Sequence, residues 1–345
     1  MRRRHDGPPE ADAGAPARST SAKSAPAGLD PDAARLLREV GPEFALPPGL
    51  ASDPAVATAY LARRRAPVAR RVPPETVGEV ADRVVPGGPP VRTYLPAGGD
   101  GGRLLVFLHG GGWVAGDIDS SDAICRRLAN LTRSTVVNVE YRLAPEHPFP
   151  AAFDDCVAAT AWAAAHAVEL GADPARLVVA GSSAGGNLAA AVALASREPG
   201  AAAVALQLLI CPALDPRMGA DSYAHHGEGY LLERDQMEWF WAQYLRESPD
   251  RTNGYAAPAL MEDLAGAPPA VVVTAEFDPL RDEGEAYARR LAAAGVAVEV
   301  LRLEGQVHGF VTMLQGTPGH TRALARIAAA LDRLSAPRAE SPARR

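Results

Sequence analysis

The chain is poor in several things that would have set its chemistry at once. It has three cysteines, Cys125, Cys156 and Cys211, in 345 residues. Their odd number and wide spacing give neither a disulfide framework nor a zinc-ligand pattern, and buried apolar thiols of a reducing compartment are expected. No H-E-x-x-H helix and no paired cysteines are present, so a metal or other cofactor is not expected. No apolar run is long enough to span a bilayer. The opening MRRRHD lacks a following apolar stretch, because residues 7–28 are Pro, Ala, Gly, Ser and charge. A secretory signal is thereby argued against, and a cytoplasmic location is expected. The basic residues are scattered rather than striped and the formal net charge is −6, which disfavours nucleic acid as a partner.

Hydrophobic residues make up 47% of the chain, enough for a sizeable core. Residues 1–28 and 336–345 are aperiodic and read as disordered tails around a single domain over 29–335. Short β-rich runs at about 79–86, 90–95, 103–109, 135–141, 176–181, 204–211, 270–275 and 297–303 alternate with helical patterns at about 121–131, 151–169, 184–197, 281–294 and 319–334. Near-continuous apolar strands separated by helices indicate an α/β fold with an eight-stranded, mostly parallel sheet covered on both faces. The first two runs have no helix between them and predict an antiparallel start. Two segments break the alternation, residues 29–70 and 215–255. The second carries YLLERDQMEWFWAQYL, with Trp239, Phe240, Trp241 and Tyr244 close together. Both are expected to form a helical cap.

Residues 181–186, GSSAGG, match G-x-S-x-G with Ser183 at the centre, directly after the strand RLVVA and directly before the helix NLAAAVALA. That strand–turn–helix setting is what a nucleophile elbow requires. A serine at a helix N-cap is the ordinary alternative. His109-Gly110-Gly111-Gly112-Trp113 follows the strand LLVFLH. Consecutive glycines carry a conformational-entropy cost, and without side chains their amides can turn towards a ligand oxygen. Gly110, Gly111, Gly112 and the Ala184 amide are the candidate oxyanion-hole donors. A phosphate loop would need a Lys-Ser/Thr ending or G-x-G-x-x-G, and neither occurs.

On a serine-hydrolase sheet of this kind the acid and the histidine follow the serine in the chain. The strand AVVVTA leads to Glu276-Phe277-Asp278, and the strand AVEVLRL leads to His308. Asp278 and His308 are therefore the candidates, with Glu276 as the rival acid. In this arrangement His308 takes the Ser183 proton and later returns it to the leaving group, while Asp278 fixes the imidazole.

With these residues in place the chain resembles the bacterial hormone-sensitive-lipase-like esterases. The matching pieces are PPVRTYLPAG, LHGGGWVAGDIDSSDAICRRLA, VEYRLAPEHPFPAAFDD, GSSAGGNLA, GEGYLLERDQMEWFWAQYL, AEFDPLRDEG and VHGF. The resemblance implies an α/β-hydrolase fold with a helical cap from 29–70 and 215–255. It implies catalysis by Ser183, Asp278 and His308 on short- to medium-chain acyl esters, by a monomer or homodimer. Trp113, Tyr230, Trp239 and Phe310 are the candidate walls of a substrate pocket. Ser182 departs from the family's usual Asp or Thr beside the nucleophile. The alternatives are a deacetylase, amidase or lactonase on the same scaffold, or a non-catalytic small-molecule binding protein.

Overall fold

The computed structural model describes residues 28–66, 73–99, 102–246 and 249–335. The two expected tails lie outside them, apart from Gly28. The chain first forms helices α1 (Pro31–Phe44) and α2 (Pro54–Arg64), then strands β1 (Glu79–Val84), β2 (Pro90–Leu95) and β3 (Gly102–Leu108). Next come α3 (Ile118–Thr132), β4 (Ser134–Val139), α4 (Ala151–Ala165), β5 (Ala172–Ser182), α5 (Ala184–Ala195) and β6 (Leu206–Ile210). Helices α6 (Asp221–His226) and α7 (Arg234–Leu245) precede β7 (Ala270–Phe277), α8 (Arg281–Ala293), β8 (Val298–Val307), α9 (Phe310–Met313) and α10 (Pro318–Ser335).

The eight strands form one sheet in the order β1-β2-β4-β3-β5-β6-β7-β8. Only the β1–β2 and β2–β4 pairings are antiparallel, so β2 alone runs against the others; β3 to β8 are mutually parallel, with the antiparallel start that the sequence pattern predicts. Both faces are apolar because the strands alternate. Leu104, Val106 and Leu108 of β3 join the core on the side of α4, α5 and α8. Leu105 and Phe107 join the core on the side of α3 and α10. Helix α5 is buried from Ala184 to Leu194, which explains its apolar composition on all sides.

Two strands are longer than their apolar runs. β5 begins at Ala172, with Gly102 opposite Ala172 and then Leu104 opposite Leu177. The intervening residues bulge around Asp173, whose side chain accepts from the Ala175 amide at 2.9 Å. Pro174 hides this start from a strand pattern. β8 runs on past Leu303 to Val307, with a register shift that sets Phe277 opposite Val307. Glu276 holds the shift by accepting from the Gly305 amide at 2.7 Å. The extension carries the chain to His308.

The two segments outside the alternation meet each other above the strand ends. Gln236 of α7 donates to the Phe44 carbonyl at the end of α1. Tyr60 of α2 packs edge-on against Trp239 of α7, ring centres 5.3 Å apart.

Candidate active site

Parallel α/β sheets put their sites at the carboxyl ends of the strands, and Ser183, Asp278 and His308 directly follow β5, β7 and β8 there. Ser183 lies between β5 and α5 with φ 58° and ψ −119°. A side-chain-bearing residue in this region carries strain of order 1–3 kcal/mol and needs fixing from around it. Its amide donates to the Ile210 carbonyl at 2.8 Å, and its carbonyl accepts from Asn187 at 3.0 Å and Ala213 at 3.3 Å. The turn also needs Gly185, because a Cβ there would stand 1.9 Å from the Leu108 carbonyl oxygen.

His308 Nε2 is 2.9 Å from Ser183 Oγ, and His308 Nδ1 is 2.8 Å from Asp278 Oδ2. Asp278 is fully buried, and its other oxygen accepts from the Leu280 amide at 2.9 Å. A carboxylate on Nδ1 selects the tautomer with the proton on that nitrogen. Nε2 is then left to accept from the serine hydroxyl. The rival acid Glu276 is occupied by the Gly305 amide, and the acids that follow Asp278 are occupied too, Asp282 by Arg281 at 2.7 Å and Glu283 by the Leu214 amide at 2.7 Å.

The glycine loop faces the same serine. A Cβ on Gly110 would stand 3.4 Å from Ser183 Cβ. The loop is held from below by Tyr141, which donates to the His109 carbonyl at 2.7 Å and stacks on the His109 ring at 4.1 Å. Burial pushes His109 down to about 4, so the imidazole is neutral at pH 7 and brings no charge to the site. Gly112 has φ +64°, and a Cβ there would lie 2.5 Å from the Phe240 ring of α7. Among the described residues the amides of Gly111, Gly112 and Ala184 have no backbone carbonyl partner.

The four expected pocket walls divide. Trp113 is fully buried, stacked on Tyr244 with ring centres 4.4 Å apart and 3° between planes, and 4.4 Å from Trp241. It props the glycine loop from behind and has no surface to offer a substrate. Phe310 is likewise fully buried, in the core on the α3 and α10 side. Both expectations are corrected by packing: a large ring beside a glycine loop is drawn into the core it covers. Tyr230 is half-buried and stacks on Phe277 at 5.4 Å; Trp239 is buried, 7% exposed, and abuts Phe240 at 5.7 Å. Sequence reasoning missed Tyr60 and the loop contact of Phe240, which no motif marks.

A serine–histidine–aspartate relay on a doubly covered parallel sheet defines a serine hydrolase of the α/β type. Residues 105–312 match the family model described as the alpha/beta hydrolase fold. The chain is 44% identical over 251 residues to the carboxylic ester hydrolase LipN of Mycobacterium tuberculosis, covering 70% of this chain and 67% of that one. It is 39% identical to an arylesterase of Saccharolobus solfataricus, covering 74% and 83% of the two chains. A crystal structure of a thermostable esterase from Pseudomonas putida superposes with a TM-score of 0.79 at 35% identity, covering 89% of this chain and 98% of that one. The chain belongs to this alpha/beta hydrolase family. It is a carboxylesterase-like hydrolase.

Proposed function

We propose that the protein hydrolyses short- to medium-chain acyl esters through an acyl-enzyme on Ser183. The observation that carries this reading is the unbroken relay from Ser183 Oγ through His308 to the buried Asp278, at 2.9 and 2.8 Å. His308 Nε2 takes the hydroxyl proton as Oγ attacks the ester carbonyl. The carbonyl oxygen becomes an oxyanion, which the amides of the Gly110–Gly112 loop and Ala184 receive. His308 then gives its proton to the departing alcohol. Water repeats the sequence on the acyl-enzyme, with His308 again as the base, and frees the acid. Asp278 stays ionised and stabilises the imidazolium.

The described parts of residues 29–70 and 215–255 act as the cap in this reading, 67–70 and 247–248 lying outside the described residues, with Tyr230 and Trp239 bounding the acyl group. Two aromatic side chains with residual exposure favour uncharged acyl chains. The intact histidine contact argues against a receptor that has lost its chemistry. Among the described residues no helix is long and apolar enough to cross a membrane. The reading takes the protein as a cytoplasmic monomer or homodimer acting on small esters, with no nucleic-acid partner and no metal or cofactor in the reaction.

The test is a p-nitrophenyl ester series from acetate to laurate. Turnover should be greatest on the short and medium chains and fall towards laurate. Equal or greater turnover of laurate would overturn the chain-length assignment, and activity on acyl amides with none on esters would overturn the ester assignment.

A further inference from the structure

Cys211 follows β6 and lies 2% exposed at the carboxyl edge of the sheet. Its φ is +46°, a region that a side-chain-bearing residue occupies only when its surroundings impose it. The Cys211 amide donates to the Val273 carbonyl at 2.7 Å, which fixes that backbone against β7. The result is a close group of three: the Cys211 sulfur, a carboxylate oxygen of Asp278 and a ring nitrogen of His308 all lie within 4.8 Å of one another. All three residues are buried.

A thiol, a carboxylate and an imidazole could in principle hold a soft divalent ion. Two of the three are already bonded to each other, and the third keeps its proton. Burial first, and then the Asp278 charge, push the Cys211 thiol well above its ordinary range, so the sulfur keeps its proton beside that carboxylate. A protonated thiol beside a carboxylate is a donor.

We propose that Cys211 is a positioning residue, whose S–H is the third donor to Asp278 after His308 Nδ1 and the Leu280 amide, and that it sets how strongly Asp278 holds the proton of His308. The proposal rests on the reading of Ser183, Asp278 and His308 as the catalytic relay. Each donor to a carboxylate disperses its negative charge and weakens its hold on the others. Removing the thiol therefore strengthens the pull of Asp278 on the imidazolium. The enzyme then stays protonated, and inactive, to a higher pH.

Other titratable groups surround the pair and must be separated from it. Tyr223 and His226 of α6 both feel the Asp278 charge. Arg281 at the start of α8 reaches His226 Nε2 at 3.1 Å and pairs with Asp282 at 2.7 Å. Glu283 of α8 is buried behind Tyr223 and held up by desolvation. Of these, His226 is the one whose ordinary titration falls in the acid limb of an esterase profile.

The experiment is the pH profile of kcat/KM on p-nitrophenyl butyrate for the full-length enzyme, Cys211→Ala, Cys211→Ser and Ser183→Ala, with active sites counted by a p-nitrophenyl phosphonate. The expected result is an acid limb displaced upward by about half a pH unit in Cys211→Ala. In Cys211→Ser, where a hydroxyl replaces the donor, the limb should return to the wild-type position or below it. A limb in Cys211→Ala that superimposes on the wild type would overturn the proposal. So would a displacement that the serine variant fails to reverse, since a merely structural cysteine behaves that way. If Cys211→Ala does not fold, the serine variant decides alone: a limb above the wild-type position contradicts the proposal, and one at or below it agrees. A displacement by Cys211→Ala that disappears in a His226→Gln background would assign the limb to His226 and also overturn it. Full activity in Ser183→Ala would instead sink the underlying relay, whatever Cys211 does.

Discussion

The strand ends and the helices above them hold the site by different means. At the strand ends the geometry is backbone geometry. Ser183 is fixed by its own amide and carbonyl, the glycine loop by the His109 carbonyl, and the proposed oxyanion donors are main-chain amides. Above, α2 and α7 meet each other and the floor through side chains. Phe240 covers Gly112, Tyr60 meets Trp239, and Arg65 donates to the carbonyls of Val114 and Ala144 and pairs with Glu146 at 2.7 Å. Backbone geometry has few sequence solutions, since a close approach or a left-handed turn admits little but glycine. Side-chain contacts have many solutions of similar volume. The floor is therefore written in the sequence as motifs, and the upper layer only as composition.

The comparison breaks first at the serine. Ser183→Ala should lower kcat/KM by about 10⁴-fold or more, whereas Ser182→Ala, one residue earlier on β5, should change it by less than about tenfold. Steady-state kinetics on a p-nitrophenyl ester decides, and the reverse ranking would move the nucleophile. One step down in size, Gly112→Ala should cost about 10²- to 10³-fold in kcat, the usual loss for a displaced oxyanion donor. Here the two layers touch. Adding Phe240→Ala should recover part of the loss, because the ring occupies the space of the new methyl. Strictly additive losses in the double variant would show that the layers are uncoupled.

His109 gives a smaller, pH-dependent effect within the floor. Unfolded histidine takes up its proton near pH 6.5, but in the fold His109 does so only near 4, because burial opposes the charge. Between those values the unfolded state binds more protons, so stability falls as pH drops from about 6.5 to about 4, by on the order of 3 kcal/mol. Urea unfolding of wild type and His109→Asn at pH 7 and pH 4.5 measures it; equal pH sensitivity in the two would contradict it. Smallest is the effect expected in the upper layer. Trp239→Ala should shift the preferred acyl length and raise KM for butyrate by roughly tenfold with kcat nearly kept, as loss of apolar contact does. A fall in kcat as large as that of Gly112→Ala would mean that Trp239 belongs to the floor.

Much of the floor is legible from sequence because strand, turn and helix follow one another in the chain. Ser183, Asp278 and His308 each follow an apolar strand, and their chain order is enough to bring them together. What is not legible depends on pairing at a distance. The start of β5 is hidden by Pro174, and the extension of β8 to Val307 depends on Glu276 reaching Gly305 from the neighbouring strand. Trp113 and Phe310 have the composition of pocket walls, but their neighbours Tyr244 and Trp241, and the α3 and α10 core, draw them inside. Cys211 stands 67 residues from Asp278 in the chain, and only the sheet order places their strands side by side.

The most direct test of the account is the covalent one. The protein is treated with an alkyl p-nitrophenyl phosphonate, and the adduct is counted by intact mass and located by peptide mapping. One adduct per chain, on Ser183, formed with loss of esterase activity and absent from Ser183→Ala, is the result the account predicts. An adduct on Ser182, or full inactivation with Ser183 unmodified, would contradict it.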